Sequence, residues 1–238
     1  MAYQLDKFEK GLKDLQIELS DEQVQQFLTY YEKLVETNKV MNLTAITEFE
    51  EVVEKHFLDS LSLVKVCDLS NKIRILDLGT GAGFPGIPLK IAFPELEIVL
   101  ADSLNKRINF LQDVIEKLDL KKITAVHARA EELARNKEYR EGFDLCVSRA
   151  VANLSTLSEY CMPFVKIGGN FISYKSGEID EEVLNAKHAI FLLGGKTKEV
   201  FKFDLYEQKR SFVIIEKTKG TPKAYPRKAG TPSKQPLG

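Results

Sequence analysis

The chain lacks several features that would take it out of the class of soluble globular proteins. It has no tryptophan and only three cysteines, and Cys67, Cys146 and Cys161 form no Cys-x-x-Cys pair. An odd number of scattered cysteines predicts neither a disulfide framework nor a metal cluster. No apolar stretch approaches the roughly 18 residues of a membrane-spanning helix, and the N-terminus has no signal-peptide core. We therefore expect a soluble, cytoplasmic protein with no membrane partner and no metal.

The length and composition are those of one globular domain. The chain has 238 residues, 44% of them hydrophobic and 29% charged. A chain of this size buries roughly 70% of the surface that its unfolded state exposes, which is enough for one full hydrophobic core. We therefore expect one α/β domain with a small helical extension, present as a monomer.

The net charge of −1 conceals an uneven distribution along the chain. The first 70 residues hold 7 basic and 14 acidic side chains, whereas residues 217–238 hold six basic groups and no acid. The balance of the whole chain is therefore no guide to its partners. The basic C-terminal tail is the segment that favours an anionic partner.

The first 70 residues show the periodicity of helices. Ser20 and Gln23 form a capping-box pattern, and apolar residues then recur at the helical period. Thr47 and Glu50 form a second such pattern before another apolar face. The residues on these two faces are Val24, Phe27, Leu28, Tyr31, Leu34 and Val35, and then Val53, Phe57, Leu61 and Val64. We expect two helices joined by a short connection at residues 42–46.

From residue 73 onward, apolar runs of strand length alternate with helical patterns. The predicted strands are residues 73–78, 97–101, 123–126, 143–148, 169–174, 197–203 and 211–216. The predicted helices are residues 87–92, 104–118, 131–136, 153–165 and 178–193. Strand–helix alternation predicts βαβ units and a mostly parallel, doubly wound sheet. The last two runs are too close together for a crossover helix and predict a terminal antiparallel hairpin.

A glycine-rich loop follows the first predicted strand and is the strongest local signal. It reads Asp77-Leu78-Gly79-Thr80-Gly81-Ala82-Gly83-Phe84-Pro85-Gly86. Glycines allow a sharp turn and let a ligand approach the backbone closely. The next strand ends at Asp102, 23 residues after Gly79. Ligands bind beyond the carboxyl ends of such strands, where an acid can accept hydrogen bonds from both hydroxyls of a ribose.

Two cofactors suit this loop. The spacing of Gly81, Gly83 and Gly86 matches the dinucleotide fingerprint, which places a diphosphate on a helix N-terminus. S-adenosylmethionine is the alternative, and its positive charges favour an acid such as Asp77 at the start of the loop. The loop, the Asp102 spacing and the terminal hairpin together favour S-adenosylmethionine. The fold class is then a Rossmann-like class I S-adenosylmethionine-dependent methyltransferase, with a helical extension at residues 1–70, a methyltransferase domain at 71–216 and a basic, proline-rich tail at 217–238.

The order of motifs along the chain resembles a known family, from about residue 20 to residue 236. The motifs are residues 42–46 (NLTAI), 56–61 (HFLDSL), 77–88 (DLGTGAGFPGIP), 102–103 with 106–107, 129–131 (RAE), 148–152 (SRAVA) and 225–232 (YPRKAGTP). They are similar to those of the bacterial ribosomal RNA small subunit methyltransferase G family, also called glucose-inhibited division protein B. The resemblance implies methylation of N7 of one specific guanine in 16S ribosomal RNA, with the RNA or the small ribosomal subunit as partner.

The resemblance also implies roles for individual residues. Gly79 and Phe84 would line the methionine part of the cofactor, and Asp102 would hold the ribose. Ala130 and Glu131 would meet the adenine. Arg149, after the fourth strand, would border both the cofactor and the substrate entrance.

Guanine N7 needs no catalytic base, because its in-plane lone pair carries no proton. The sequence agrees with this, since Ser148-Arg149-Ala150-Val151 stands where amino-group methylation would require an Asn/Asp-Pro-Pro-Tyr/Phe motif. Cys146 and Cys161 lie in apolar patterns that favour inert packing over nucleophilic catalysis. We therefore expect no acid or base residue, with Arg149 as the substrate-side candidate. The rate enhancement would come from alignment, which can contribute about 7–11 kcal/mol.

The basic tail has two interpretations. Cations interspersed with prolines are typical of a solvated, disordered end. Aromatic and basic side chains together also suit stacking on a base and contact with phosphates, and the resemblance favours RNA contact or closure of the site. The predicted RNA-binding residues are Lys223, Tyr225, Arg227, Lys228 and Lys234.

Other charged pairs leave alternatives open. His56 and Asp59 share a helix face and predict either a hydrogen bond that fixes two helices or an RNA contact. Lys106 and Arg107 begin a helix, where the helix dipole disfavours cations, and this indicates either a phosphate or nucleotide contact or a solvated surface. The alternative functions are a small-molecule methyltransferase, a nicotinamide-dependent oxidoreductase and an RNA-binding module with a purely structural glycine loop.

Overall fold

The computed structural model describes residues 3–238. The helices are α1 (Asp6–Asp14), α2 (Asp21–Met41), α3 (Phe49–Val52), α4 (Asp59–Leu61), α5 (Gly86–Ala92), α6 (Asn105–Lys117), α7 (Ala130–Leu133), α8 (Leu154–Cys161), α9 (Asp180–Leu192) and α10 (Thr231–Lys234). The strands are β1 (Arg74–Leu78), β2 (Glu97–Asp102), β3 (Ile123–His127), β4 (Phe143–Arg149), β5 (Val165–Ser176), β6 (Gly195–Leu205) and β7 (Gln208–Lys217).

The strands form one seven-stranded sheet in the order β3-β2-β1-β4-β5-β7-β6. Strands β1 to β5 run parallel, whereas β7 pairs antiparallel with both β5 and β6. The predicted mostly parallel sheet with a terminal antiparallel hairpin is therefore confirmed, including all seven strands. Strands β1, β2 and β4 are buried along most of their length because helices cover both of their faces, whereas β3 at the edge is partly exposed.

Alternation of side chains along β1 separates two hydrophobic layers. Ile75 faces the layer that contains α1, α2, α5 and α6. Leu76 faces the opposite layer, which contains α8 and α9. The helical extension is thus packed directly on the sheet, with Phe27 of α2 against Phe57 at a ring-centroid distance of 5.0 Å. This packing brings the segment around Phe57 to the carboxyl edge of the sheet.

The two predicted capping boxes have different outcomes. The box at α2 is confirmed, since Gln23 N donates to Ser20 Oγ (3.2 Å) and Ser20 N donates to Gln23 Oε1 (2.9 Å). The box at Thr47 and Glu50 is wrong, because the residue that caps α3 is Glu48, which makes no side-chain cap bond. The helix continues from α3 through a π-helical turn, Val53–Leu58, into α4.

Two further boundaries differ from prediction. The helix predicted at 153–165 ends at Cys161 and tightens into a 3₁₀ turn at Met162–Phe164, because β5 already begins at Val165. The helix predicted at 131–136 is shorter and forms α7. None of the helices in residues 3–238 combines the length and the apolar character that crossing a membrane requires.

The C-terminal tail is folded against the sheet and does not behave as a free solvated end. Its first cation, Lys217, ends β7 and is fully buried. The Lys217 ammonium donates to the carbonyls of Met162 (2.6 Å) and Val165 (3.2 Å), and burial lowers its pKa to about 8. We call residues 221–238 the C-terminal strap; they run from Glu141, before β4, past Glu159 of α8 to Glu131 of α7, and they include α10.

Candidate functional site

The glycine loop after β1 turns sharply at the carboxyl edge of the sheet. Gly79 has φ +72° and Gly81 has φ +62°, values that favour glycine. Gly79 N donates to the carbonyl of Ala101 on β2 (2.8 Å), which ties the loop to the neighbouring strand. A Cβ at Gly79 would lie 2.5 Å from Cγ2 of Val151, so the close approach of the β4–α8 segment also requires glycine here.

Asp77 is the buried acid that begins the loop. Its Oδ2 accepts hydrogen bonds from Thr80 Oγ1 (2.6 Å) and Gly86 N (2.8 Å). Its Oδ1 is buried and has no hydrogen-bond partner. Burial raises the pKa of Asp77 to about 6. A buried carboxylate oxygen without a partner is costly, which agrees with the raised pKa.

The helical extension supports the loop from behind. Tyr30 of α2 is fully buried, and its hydroxyl donates to the carbonyl of Ala82 (2.6 Å). This contact was not predicted, because the apolar periodicity places Tyr31, and not Tyr30, on the apolar face of α2. In the structure the buried positions of α2 are Phe27, Tyr30 and Leu34. The signal was present, since these three residues also follow the helical period.

A cavity of about 480 Å³ lies beyond β1, β2 and β3. It is lined by Leu78, Gly79, Ala101, Asp102, Ser103, Arg107, Ala128, Arg129, Ala130, Glu131, Ala150, Val151, Tyr160, Gly230 and Ser233. We call it the first cavity. This cavity therefore brings together four of the predicted cofactor residues, Gly79, Asp102, Ala130 and Glu131.

Asp102 is held in a fixed orientation at the end of β2. Its Oδ1 accepts from Leu104 N (2.9 Å), and its Oδ2 accepts from Gly81 N (3.0 Å) and from the Arg107 guanidinium (3.1 Å). Arg107, which also lines the first cavity, therefore helps to fix the orientation of Asp102. Its neighbour Lys106 instead reaches the carbonyl of Met41 (3.4 Å).

The far wall of the first cavity is built by the C-terminal strap. Glu131 is buried, and its Oε1 accepts from Gly230 N of the strap (2.9 Å). Gly230 and Ser233 both line the cavity. The strap thus closes the side of the cavity where Glu131 lies.

A second cavity of about 390 Å³ adjoins the first on the other side of Ala150, which lines both. It is lined by Ile46, Lys55, His56, Asp59, Arg149, Ala150, Tyr174, Lys175, Ser176, Gln208 and Arg210. Ala150 has φ +56°, a left-handed conformation that is strained for alanine. Arg149, which was predicted to border both the cofactor and the substrate entrance, lines the second cavity and not the first.

His56 and Asp59 do fix neighbouring elements, but they do so through Arg149. The Arg149 guanidinium donates to Asp59 Oδ2 (2.6 Å) and lies 3.2 Å from His56 Nδ1. On the other side of the ring, His56 Nε2 lies 3.0 Å from Thr44 Oγ1. Burial, followed by the positive charge of Arg149, lowers the pKa of His56 to about 4. The neutral imidazole can accept at Nδ1 from Arg149 and donate at Nε2 to Thr44, or, in the other tautomer, donate at Nδ1 to the Lys55 carbonyl (3.1 Å).

The other predicted cofactor residues lie in the loop and its supporting layer. Phe84 is buried, and its ring stacks on His56 at 4.5 Å between centroids. The Arg149 guanidinium lies 5.2 Å from the Phe84 ring centroid. Gly83, with φ +105°, packs against the Tyr30 hydroxyl. Phe84 thus connects the loop to the second cavity.

The predicted RNA-binding residues divide into two groups. Lys223, Lys228 and Lys234 are exposed on the strap. Arg227 instead forms a bidentate ion pair with Glu159, and Tyr225 packs against the α8–α9 layer. The geometry therefore gives Arg227 and Tyr225 structural partners that the charge pattern alone did not indicate.

The cysteines occupy the positions expected of packing residues. Cys146 and Cys161 are fully buried, and burial raises the pKa of the Cys161 thiol. Within residues 3–238, no group of three His, Cys, Asp or Glu side chains could hold a metal ion.

Sequence comparison identifies relatives along nearly the whole chain. The model of the family described as GidB, rRNA small subunit methyltransferase G, matches residues 23–213. A protein named ribosomal RNA small subunit methyltransferase G from Lachnoclostridium phytofermentans is 55% identical over 97% of this chain and 96% of its own length. Proteins of the same name from Acetivibrio thermocellus and Bacillus cytotoxicus are 51% and 48% identical, over 96% and 98% of this chain and 94% and 98% of theirs.

Comparison with solved structures supports the fold. A SAM-dependent methyltransferase from Aquifex aeolicus has a TM-score of 0.52 at 17% identity, covering 69% of this chain and 92% of that chain. A 16S rRNA adenine-N1 methyltransferase variant from Catenulisporales acidiphilia has a TM-score of 0.54 at 13% identity, covering 64% of this chain and 88% of that chain.

Proposed function

The chain belongs to the rRNA small subunit methyltransferase G family, and we propose that it transfers a methyl group from S-adenosylmethionine to N7 of one guanine in 16S ribosomal RNA. The observation that carries this proposal is the pair of cavities that share Ala150. Methyl transfer requires a donor and an acceptor that meet at one point, and two adjoining cavities provide that arrangement. We further propose that the protein acts in the cytoplasm, on the RNA or on the small ribosomal subunit.

The residues of the first cavity suit S-adenosylmethionine. Asp102, only 4% exposed, lines the cavity with a carboxylate oriented by two backbone N–H groups and by Arg107, and its remaining lone pair would accept a hydrogen bond from a ribose hydroxyl. Ala130 and Glu131 would hold the adenine at the strap side. Asp77 is fully buried behind the loop and does not line the cavity, so its unpartnered Oδ1 would favour a positively charged group only through its electrostatic field. When bound, this cofactor supplies an electrophilic methyl group.

The acceptor chemistry asks little of the protein beyond orientation. Guanine N7 is a nucleophile without losing a proton, so no side chain needs to act as a base. The task of Arg149 and its neighbours is then to fix the base relative to the first cavity, and such alignment can contribute about 7–11 kcal/mol to the rate. Ala150 lines both cavities, so it would lie beside the point where the two bound ligands meet.

Calorimetry with three ligands tests the cofactor assignment. We expect S-adenosylmethionine and S-adenosylhomocysteine to bind at one site per chain and NAD to give no heat. Asp102→Asn should lower the affinity for both S-adenosylmethionine and S-adenosylhomocysteine, because the carboxylate becomes a neutral amide. Asp113→Asn is the matched control, since Asp113 is an exposed acid on α6. Binding of NAD with no response to S-adenosylhomocysteine would overturn the proposal.

A further inference from the structure

One buried carboxylate holds two guanidinium groups beside the second cavity. Asp59 Oδ2 accepts from Arg149 (2.6 Å) and Asp59 Oδ1 accepts from Arg210 Nε (2.8 Å). The side chain of Asp59 is only 6% exposed, and those of Arg149 and Arg210 are 15% and 18% exposed. Because these three side chains are largely buried, solvent screens their interactions little and they keep fixed orientations, in contrast to ion pairs on an open surface.

The three residues come from distant parts of the chain. Asp59 begins α4 in the helical extension, Arg149 ends β4, and Arg210 lies near the start of β7 in the terminal hairpin. The guanidinium of Arg210 also donates to Gln208 Oε1 at the turn of that hairpin. The extension and the hairpin therefore both contribute to the wall of the second cavity, and Asp59 joins them.

The cavity wall is positively charged. Four cations, Lys55, Arg149, Lys175 and Arg210, line it together with one acid, Asp59. Two of the cations also pair with acids outside the lining, Lys55 with Glu51 and Lys175 with Glu182 (2.7 Å), so the four cations still outnumber the three acids. Its volume of about 390 Å³ lies in the range of small-ligand sites, roughly 300–1,000 Å³. A cationic cavity of this size suits a nucleotide whose phosphates carry negative charge, and planar guanidinium groups suit phosphate oxygens in particular.

We propose that the second cavity binds the acceptor nucleotide of the RNA together with its phosphate, and that Asp59 is the positioning residue that holds Arg149 and Arg210 toward it. This inference rests on the proposed methyl transfer to RNA. Because enzymes that modify a base act on single-stranded nucleic acid or extrude the base from its stack, the cavity receives one unstacked nucleotide. Arg210 contacts phosphate, and Asp59 acts only through the two arginines.

A pair of adjacent substitutions on the hairpin tests the role of Arg210. Arg210→Gln removes a guanidinium that lines the cavity, whereas Lys209→Gln removes the neighbouring cation, which is 74% exposed and lies 3.4 Å from Glu178 outside it. We expect Arg210→Gln to raise the KM for RNA about tenfold or more, which corresponds to about 1.4 kcal/mol. The slope of log affinity against log salt should also become shallower by about 0.7–0.9, as for one lost phosphate contact. Lys209→Gln should change KM less than about twofold. Equal effects of the two substitutions would overturn the proposal.

The variant Asp59→Asn tests the positioning role. The two guanidiniums then lose their shared carboxylate, so we expect a raised KM for RNA with the dissociation constant for S-adenosylhomocysteine unchanged. Asp59→Glu should restore part of the RNA affinity. Loss of cofactor and RNA binding together would indicate a merely structural role and would contradict the positioning claim. If Asp59→Asn does not fold, Arg210→Gln alone decides the site. A wild-type protein that neither binds S-adenosylhomocysteine nor methylates RNA would instead refute the proposed function.

Discussion

Glu159 and Arg227 form a bidentate ion pair that fastens the C-terminal strap to α8. Arg227 Nε donates to Glu159 Oε1 (2.9 Å) and Arg227 Nη2 donates to Glu159 Oε2 (2.6 Å). Glu159 also accepts from the backbone N–H of Arg227 (2.8 Å) and is fully buried. The pKa of Arg227 is raised by its hydrogen bond to Glu159. The strap that forms one wall of the first cavity therefore depends on a charge pair inside the protein.

The first prediction concerns this pair. Arg227→Met leaves the buried Glu159 carboxylate without its partner, so the free energy of unfolding should fall by about 3–5 kcal/mol. The affinity for S-adenosylhomocysteine should fall with it, because Gly230 and Ser233 of the strap line the first cavity. Urea unfolding and calorimetry measure the two effects.

Two controls accompany this test. Lys228→Met changes the neighbouring cation, which is exposed, and should leave both the stability and the affinity unchanged. The double variant Glu159→Gln with Arg227→Met removes both charges and should recover part of the stability. Full stability of Arg227→Met alone would show that the strap does not depend on the ion pair.

The architecture was predictable because it follows from local patterns. Apolar runs of strand length, their spacing and the short final connection are enough to give a parallel sheet with a terminal hairpin. Boundaries were less predictable where tertiary packing decides them. The π-helical turn at Val53–Leu58 interrupts a regular helical period, and the predicted helix at 153–165 ends early because Val165 is required for pairing in β5.

The site was predictable only in part, for a related reason. Gly79, Asp102, Ala130 and Glu131 follow the ends of successive strands, and such residues converge at one edge of the sheet. The contact between Asp59 and Arg210 joins residues 151 positions apart. No local pattern encodes such a pairing, so no role for Arg210 could be predicted from the sequence. The internal partner of Arg227 was missed in the same way.

The second prediction concerns His56 and acid. Its pKa is lowered from 6.5 to about 4 in the folded protein, chiefly by burial. Between these values the unfolded chain binds more protons, so the stability should fall as the pH decreases from about 6.5 to about 4. A shift of this size corresponds to about 3 kcal/mol. His56→Asn should lose less stability over the same range in urea unfolding, and parallel curves for the two proteins would contradict the prediction.

The third prediction concerns Asp77. Burial raises the pKa of its carboxyl from 3.8 to about 6, so the carboxyl is mainly ionised above about pH 6. A positively charged ligand binds the ionised form better, so the affinity for S-adenosylmethionine should increase as the pH rises through about 6. Asp77→Asn should bind more weakly and show little change over this range. Calorimetry at several pH values measures both proteins, with Asp113→Asn as the control. An identical pH dependence in Asp77→Asn would exclude the role of this carboxylate.

The fourth prediction concerns the exposed cations of the strap. Replacing Lys223, Lys228 and Lys234 together by alanine should weaken RNA binding and make its salt dependence shallower by about 2–3 units of log–log slope, if each meets one phosphate. Arg227 is left intact in this variant because it holds Glu159. The affinity for S-adenosylhomocysteine serves as the control and should not change. An unchanged slope would show that these lysines do not contact RNA.

The central claim is tested most directly by finding the atom that receives the methyl group. Labelled S-adenosylmethionine is supplied with the protein to naked 16S ribosomal RNA and to intact small ribosomal subunits in parallel. The RNA is then cleaved by borohydride and aniline, a treatment that breaks the chain at N7-methylguanine. We expect incorporation of label and one cleavage position, at a guanine, in at least one of the two substrates. Label on an RNA that resists cleavage, or no incorporation by a protein that binds S-adenosylhomocysteine, would contradict the account.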